Sequence, residues 1–116
     1  MEIKKVTTEE IKKWIDESKD FVLLDVLGEN SYQARHLPGA KNIPVDDLEF
    51  VKKADELVGD KSKTVVAYCS SSTCQASPRA ADKLVKAGYT NVYHYSDGLA
   101  GWQEAGYPFE GESMQQ

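Results

Sequence analysis

The residues most able to do covalent chemistry are the two cysteines, Cys69 and Cys74. They stand in the stretch Val65-Val66-Ala67-Tyr68-Cys69-Ser70-Ser71-Ser72-Thr73-Cys74-Gln75-Ala76-Ser77-Pro78-Arg79-Ala80-Ala81. Cys69 follows an apolar run that reads as a buried strand. The small or polar residues Ser70, Ser71, Ser72, Thr73, Cys74, Gln75 and Ala76 then lead into a helix. Ser77 reads as the N-cap of that helix and Pro78 as its first residue, where a missing N–H does no harm. A cysteine between a strand end and a helix start faces backbone N–H groups and the positive end of the helix dipole. Both favour the thiolate, which is the nucleophilic form. A strand-end thiol that only packs would show the same pattern, because free cysteine is among the most buried residue types. The loop has neither glycine nor lysine, so it is not a nucleotide P-loop.

Cys74 stands five residues after Cys69, which is not the Cys-x-x-Cys spacing of thioredoxin-like sites. A loop of that length can fold back. Cys74 is then either a redox partner of Cys69, if the two Cα atoms lie within ~7 Å, or a loop thiol with a minor structural role. His36 precedes Leu37-Pro38-Gly39-Ala40 in a turn and reads as a hydrogen-bonded structural imidazole rather than a general base. His94 lies between tyrosines and reads as a partly exposed strand residue. Asp25 and Asp97 stand at strand ends. A carboxylate beside a thiolate would raise its pKa, so both are expected as structural supports turned away from sulfur. The histidines and cysteines share no ligand spacing, so neither a metal site nor a cofactor is expected.

Alternating strands and helices must position these groups. Thr7-Thr8-Glu9-Glu10 offers a capping box, and Ile11, Trp14 and Ile15 follow at helical spacing. A weakly alternating stretch over residues 2–6 is an edge-strand candidate. Phe21-Val22-Leu23-Leu24 is continuously apolar, as expected of a strand covered on both faces. Residues 29–35 offer one or two helical turns, stopped by Pro38 and Gly39, and residues 40–43 a short strand. The spacing of Leu48, Val51, Ala54, Leu57 and Val58 predicts a helix over residues 46–58, ended by Gly59. Ala80, Ala81, Leu84 and Val85 form the stripe of the next helix. Residues 91–95 read as a strand, Asp97-Gly98 as a turn, and residues 99–105 as a final helix in which Trp102 plugs the sheet end. This order predicts an α/β fold, with a parallel sheet between two helix layers. In such sheets, chemistry sits at the carboxyl ends of the strands.

At 116 residues the chain is expected to be one domain, residues 1–116, with a loose tail over 110–116. Hydrophobic residues at 41% and charged residues at 28% are globular proportions and exclude wholesale disorder. The net charge of −5 offers no basic field for a polyanion, which excludes nucleic acid as a partner. No apolar run approaches the ~20 residues that span a bilayer, so no membrane association is expected. The first residues lack an apolar leader, and two cysteines are too few for a disulfide scaffold. The expected compartment is the cytoplasm.

Four segments in order resemble the single-domain rhodaneses, a sulfurtransferase family, over about residues 3–111. Phe21-Val22-Leu23-Leu24-Asp25-Val26 resembles the family's "LLDVR". Tyr32-Gln33-Ala34-Arg35-His36-Leu37-Pro38-Gly39-Ala40-Lys41-Asn42-Ile43-Pro44 resembles "Y-x-x-x-H-I-P-G-A-x-N-I-P". Val66 to Cys69 with Ala80-Ala81 matches the strand, nucleophile and helix. Gly98-Leu99-Ala100-Gly101-Trp102 with Ala105-Gly106-Tyr107-Pro108 resembles the ending. The resemblance implies a three-layer α/β/α sandwich around a five-stranded parallel sheet in the order 1-5-4-2-3. It also implies that Cys69 takes up sulfane sulfur as a persulfide and passes it to a thiol or other thiophilic acceptor, in a thiosulfate:cyanide type of reaction. The partners are then a small sulfane-sulfur donor and a thiol acceptor, or a partner protein's persulfide. The alternatives are a catalytically idle redox or binding module and, with less support, a phosphatase or arsenate reductase of the related longer-loop type.

The chain departs from the family pattern twice. Its loop is two residues longer and holds no basic residue, Arg79 being the first; thiosulfate is therefore expected to be a poor donor. Leu27 stands where the family commonly has arginine, which leaves Arg35 as a substitute partner for Asp25.

Overall fold

The computed structural model describes residues 3–111. Its elements are β1 (Ile3–Lys5), α1 (Thr8–Asp16), β2 (Val22–Asp25), α2 (Glu29–Ala34), β3 (Lys41–Asn42), α3 (Phe50–Val58), β4 (Val65–Tyr68), α4 (Ala76–Lys86), β5 (Val92–Tyr95) and α5 (Gly98–Glu104). The strands form one five-stranded sheet in the order β1-β5-β4-β2-β3, and every pairing is parallel. Both the predicted alternation and the implied strand order are present.

Side chains alternate between the two faces of a strand, and β4 shows why its run had to be continuously apolar. Val65, Ala67 and Cys69 join one core with Leu24, Val26, Ala80, Ala81, Leu84 and the α3 residues Phe50 and Ala54. Val66 and Tyr68 join the other with Leu23, Ile11, Tyr95, Leu99 and Trp102. Helices α3 and α4 cover one face, α1 and α5 the other. Each large apolar side chain taken from water contributes roughly 1.5–3 kcal/mol. The two cores flank the central strand like clamps.

The N-terminus of α1 forms as predicted. Thr7 Oγ1 accepts from the Glu10 amide at 3.1 Å, and Glu10 returns a carboxylate oxygen to the Thr7 amide at 2.9 Å. Helix α3 begins at Phe50, four residues later than its apolar spacing predicts. The Asp47 carboxylate accepts from the Glu49 amide at 2.8 Å, and its carbonyl accepts from Phe50 N at 3.0 Å. This Asx-type turn competes with helix and leaves Leu48 fully exposed rather than on the apolar stripe. The third strand shortens to Lys41–Asn42. Glu110 is not loose. It exchanges both backbone hydrogen bonds with His36, at 2.8 and 2.9 Å, and its carboxylate accepts from the Gly39 amide. The rest of the expected tail, residues 112–116, and the start of the expected edge strand at Glu2 lie outside the described residues.

Candidate active site

Cys69 emerges at the carboxyl end of the central strand and is 1% exposed. Its carbonyl accepts from the Leu99 amide at 3.0 Å, and the Ser70 carbonyl accepts from the Ala100 amide at 2.8 Å. The first turn of α5 therefore holds the start of the loop. That contact needs Gly98, whose φ is +58°; a Cβ there would stand 2.3 Å from the Cys69 carbonyl oxygen. Beyond Ser70 the chain turns back, with Cys74 N donating to the Ser71 carbonyl at 3.1 Å and the Ser71 and Thr73 hydroxyls paired at 3.1 Å. The turn brings Cys74 against Cys69. The two are joined as a disulfide with Cα atoms 6.4 Å apart.

Helix α4 starts at Ala76 with Gln75 as its N-cap, not at Ser77. Pro78 becomes the third helical residue. That is tolerated because none of the first four N–H groups has an intrahelical acceptor. The displaced start turns Ser77 inward instead of capping. Its side chain is wholly buried, with Oγ 3.3 Å from Cys69 Sγ and 2.7 Å from His94 Nε2. Sulfur, hydroxyl and imidazole thus form one line across β4, α4 and β5.

His94 is half-buried and pairs in register with Lys5 on β1 and Ala67 on β4. Burial holds its imidazolium pKa below the ordinary value, and the Lys5 charge adds to the effect. The ring is therefore neutral at pH 7 and able to accept a proton. Sequence reading assigned neither residue to the site. The signal was the period-two alternation that puts His94 on the same face as Val92, toward α4. Ser77 was hidden by the N-cap assignment.

The expected supports divide. Asp25 is fully buried and sits with Tyr68 on the face opposite Cys69. It accepts from the Leu27 amide at 3.0 Å and the Tyr68 hydroxyl at 3.0 Å; Tyr68 Oη in turn accepts from the Leu37 amide at 3.0 Å. Desolvation raises the Asp25 pKa, opposed by the Leu27 amide, the Tyr68 hydroxyl and His36. His36 stacks on Tyr32 at 3.9 Å, and its Nδ1 lies 2.7 Å from the Tyr32 carbonyl oxygen. Asp97 stands at the N-cap of α5 but makes no side-chain cap hydrogen bond to that helix. Arg35 does not reach Asp25. It donates to Gln103 at 2.6 Å and lies over the Phe109 ring. Arg79 turns outward to Asp46 at 2.7 Å, leaving the loop without a cation.

Beside the loop lies a shallow cleft of about 390 Å³ lined by Ser71, Ser72, Thr8, Glu9, Asp97 and Glu104, among other residues. Hydroxyls and carboxylates face it, and among the described residues none that lines it is basic. Such a surface repels an anion approaching the loop.

The rhodanese-like domain model matches residues 7–105. Over 94 residues the chain is 35% identical to an HTH-type transcriptional regulator of Mycobacterium tuberculosis, covering 81% of this chain and 39% of that protein. It thus spans less than half the length of that relative. It is 30% identical over 89 residues to the thiosulfate sulfurtransferase GlpE of Pseudoalteromonas translucida, covering 77% of this chain and 79% of that one. The solution structure of a rhodanese-like domain from Anabaena sp. superposes with a TM-score of 0.82 at 26% identity, covering 100% of this chain and 84% of that chain.

Proposed function

The chain belongs to the rhodanese-like domain family, and on that premise we propose that it is a sulfurtransferase carrying sulfane sulfur as a persulfide on Cys69. The observation that carries this reading is the line from Cys69 Sγ through Ser77 Oγ to His94 Nε2 at 3.3 and 2.7 Å. In the reduced protein the Cys69 thiol passes its proton to Ser77 as Ser77 passes its own to a neutral His94. A thiolate and an imidazolium result. The thiolate attacks the outer sulfur of the donor. A new S–S bond forms on Cys69, and the donor's remaining part leaves with the electron pair of the broken bond. An acceptor thiolate then attacks that outer sulfur and Cys69 departs as thiolate.

The donor is a small sulfane-sulfur compound or a partner protein's persulfide, the acceptor is a thiol, and the compartment is the cytoplasm. Phosphoryl transfer has less support, because three charged oxygens call for an arginine in the loop and residues 70–76 have none. Intact mass after exposure to glutathione persulfide tests the assignment. The reduced chain is expected to gain one sulfur atom, and Cys69→Ser none. Equal gain in both would overturn it.

A further inference from the structure

The loop that shelters Cys69 also carries a second sulfur to it, and a carrier with one acceptor route has no need of that sulfur. We propose that Cys74 resolves the Cys69 persulfide, so that the protein also reduces sulfane sulfur to hydrogen sulfide. The proposal rests on Cys69 being the carrier.

Placement favours Cys74 over any thiol from solution. Its Cα lies 6.4 Å from that of Cys69 and the two sulfurs are within bonding reach, inside the usual range for a disulfide. Cys74 is not a solvent thiol on a free loop. It is partly buried and packs against the core that contains Cys69, Ala80 and Ala81. The Cys74–Ser71 backbone bond and the Ser71–Thr73 hydroxyl pair hold the turn that brings it there. Cys69 itself is 1% exposed, so an external thiol must displace this loop before it reaches sulfur. A group already in place gains an effective concentration on the order of 10⁵ M or more when well oriented, far above any cellular thiol.

The step balances without an outside oxidant. The Cys74 thiolate attacks Cys69 Sγ, the inner sulfur of the protonated persulfide. The Cys69–Cys74 bond forms, the bond from Cys69 Sγ to the outer sulfur breaks, and the outer sulfur leaves as hydrosulfide with its proton. Two thiol-level sulfurs are oxidised to a disulfide while the sulfane sulfur takes two electrons. A dithiol reductant must then reopen the disulfide before the next cycle.

The test is a single turnover of the reduced, desalted chain with one equivalent of glutathione persulfide, quenched by alkylation and read by non-reducing intact mass and sulfide assay. Wild type is expected to end as the disulfide, two hydrogens lighter, with one hydrosulfide released per chain. Cys74→Ser and Cys74→Ala are both expected to stay one sulfur heavier and to release about tenfold less sulfide or lower still. Wild type holding its persulfide as long as the two variants would overturn the proposal while leaving the carrier reading intact. Failure of all three chains to gain sulfur would instead overturn the carrier reading, and this inference with it.

Discussion

Tyr68, the last residue of β4, and Cys69, the residue after it, open onto opposite faces of the sheet and into two polar clusters of different design. Around Tyr68 the network is closed. Asp25 accepts from Leu27 and Tyr68, Tyr68 accepts from Leu37, and each strong donor meets an acceptor. Around Cys69 it is a line with two ends, a reactive sulfur and a neutral imidazole, joined by one hydroxyl. A closed network fixes geometry because breaking any member leaves a buried polar group unpaired. An open line lets a proton move. The comparison assigns stability to one face of a strand end and chemistry to the other.

The largest effect expected is on the open side. Cys69→Ser should abolish sulfur loading while changing the melting temperature little, because the replacement is nearly isosteric. Sulfur transfer surviving in that variant would place the chemistry elsewhere and remove the contrast between the faces.

The next effect concerns what the open side lacks. With Arg79 and Arg35 engaged elsewhere and carboxylates lining the neighbouring cleft, no side-chain cation offsets the two charges of thiosulfate. One loop arginine pairing with it would contribute about 1.5–3 kcal/mol, roughly 10–150-fold at ~1.4 kcal/mol per decade. Thr73→Arg or Gln75→Arg should therefore raise kcat/KM for thiosulfate by that factor and leave a persulfide donor nearly unchanged. A wild type that prefers thiosulfate tenfold over a persulfide would show that the amides alone suffice.

On the closed side, Tyr68→Phe removes one hydroxyl and strands two partners, the Asp25 carboxylate and the Leu37 amide. The expected cost is about 1–3 kcal/mol of stability, measured by urea unfolding, with sulfur loading per folded molecule preserved. Lost loading at full stability would mean that the two clusters communicate through the strand.

The fold was legible because continuous apolar runs, caps and stripes all pointed to one architecture. Cys69 was legible as a candidate because a strand end, a polar loop and a helix start bracket it. Three kinds of feature were not. The Asx turn at Asp47 competes with helix by a local side-chain bond, so Leu48 carried helical spacing without being buried. The α4 start shifted because Pro78 is tolerated anywhere in a first turn, which hid the inward course of Ser77. His94 lies on the neighbouring strand β5, reached from Cys69 through the crossover helix α4, and only strand register reveals that the two share a face.

The smallest expected effect is the one that most sharply tests the open line. His94 has its imidazolium pKa depressed by burial and by Lys5, so the folded state binds fewer protons there than the unfolded chain. A depressed pKa contributes stability above the unfolded value of about 6.5 and loses it as pH falls through the folded value. Wild type should therefore weaken on acidification below neutrality, and His94→Gln should flatten that part of the curve. The same substitution removes the proton acceptor behind Ser77. In a reduced Cys74→Ser background, iodoacetamide alkylation of Cys69 at pH 7 should fall about tenfold, equivalent to ~1.4 kcal/mol of thiolate stabilisation. At high pH the two profiles should converge, because hydroxide then deprotonates the thiol without help. Ser77→Ala should reproduce the loss, and the double variant should add nothing, since either change cuts the same path. Multiplicative losses, or an unshifted midpoint in His94→Gln, would mean that the imidazole only packs and that loop amides alone hold the thiolate.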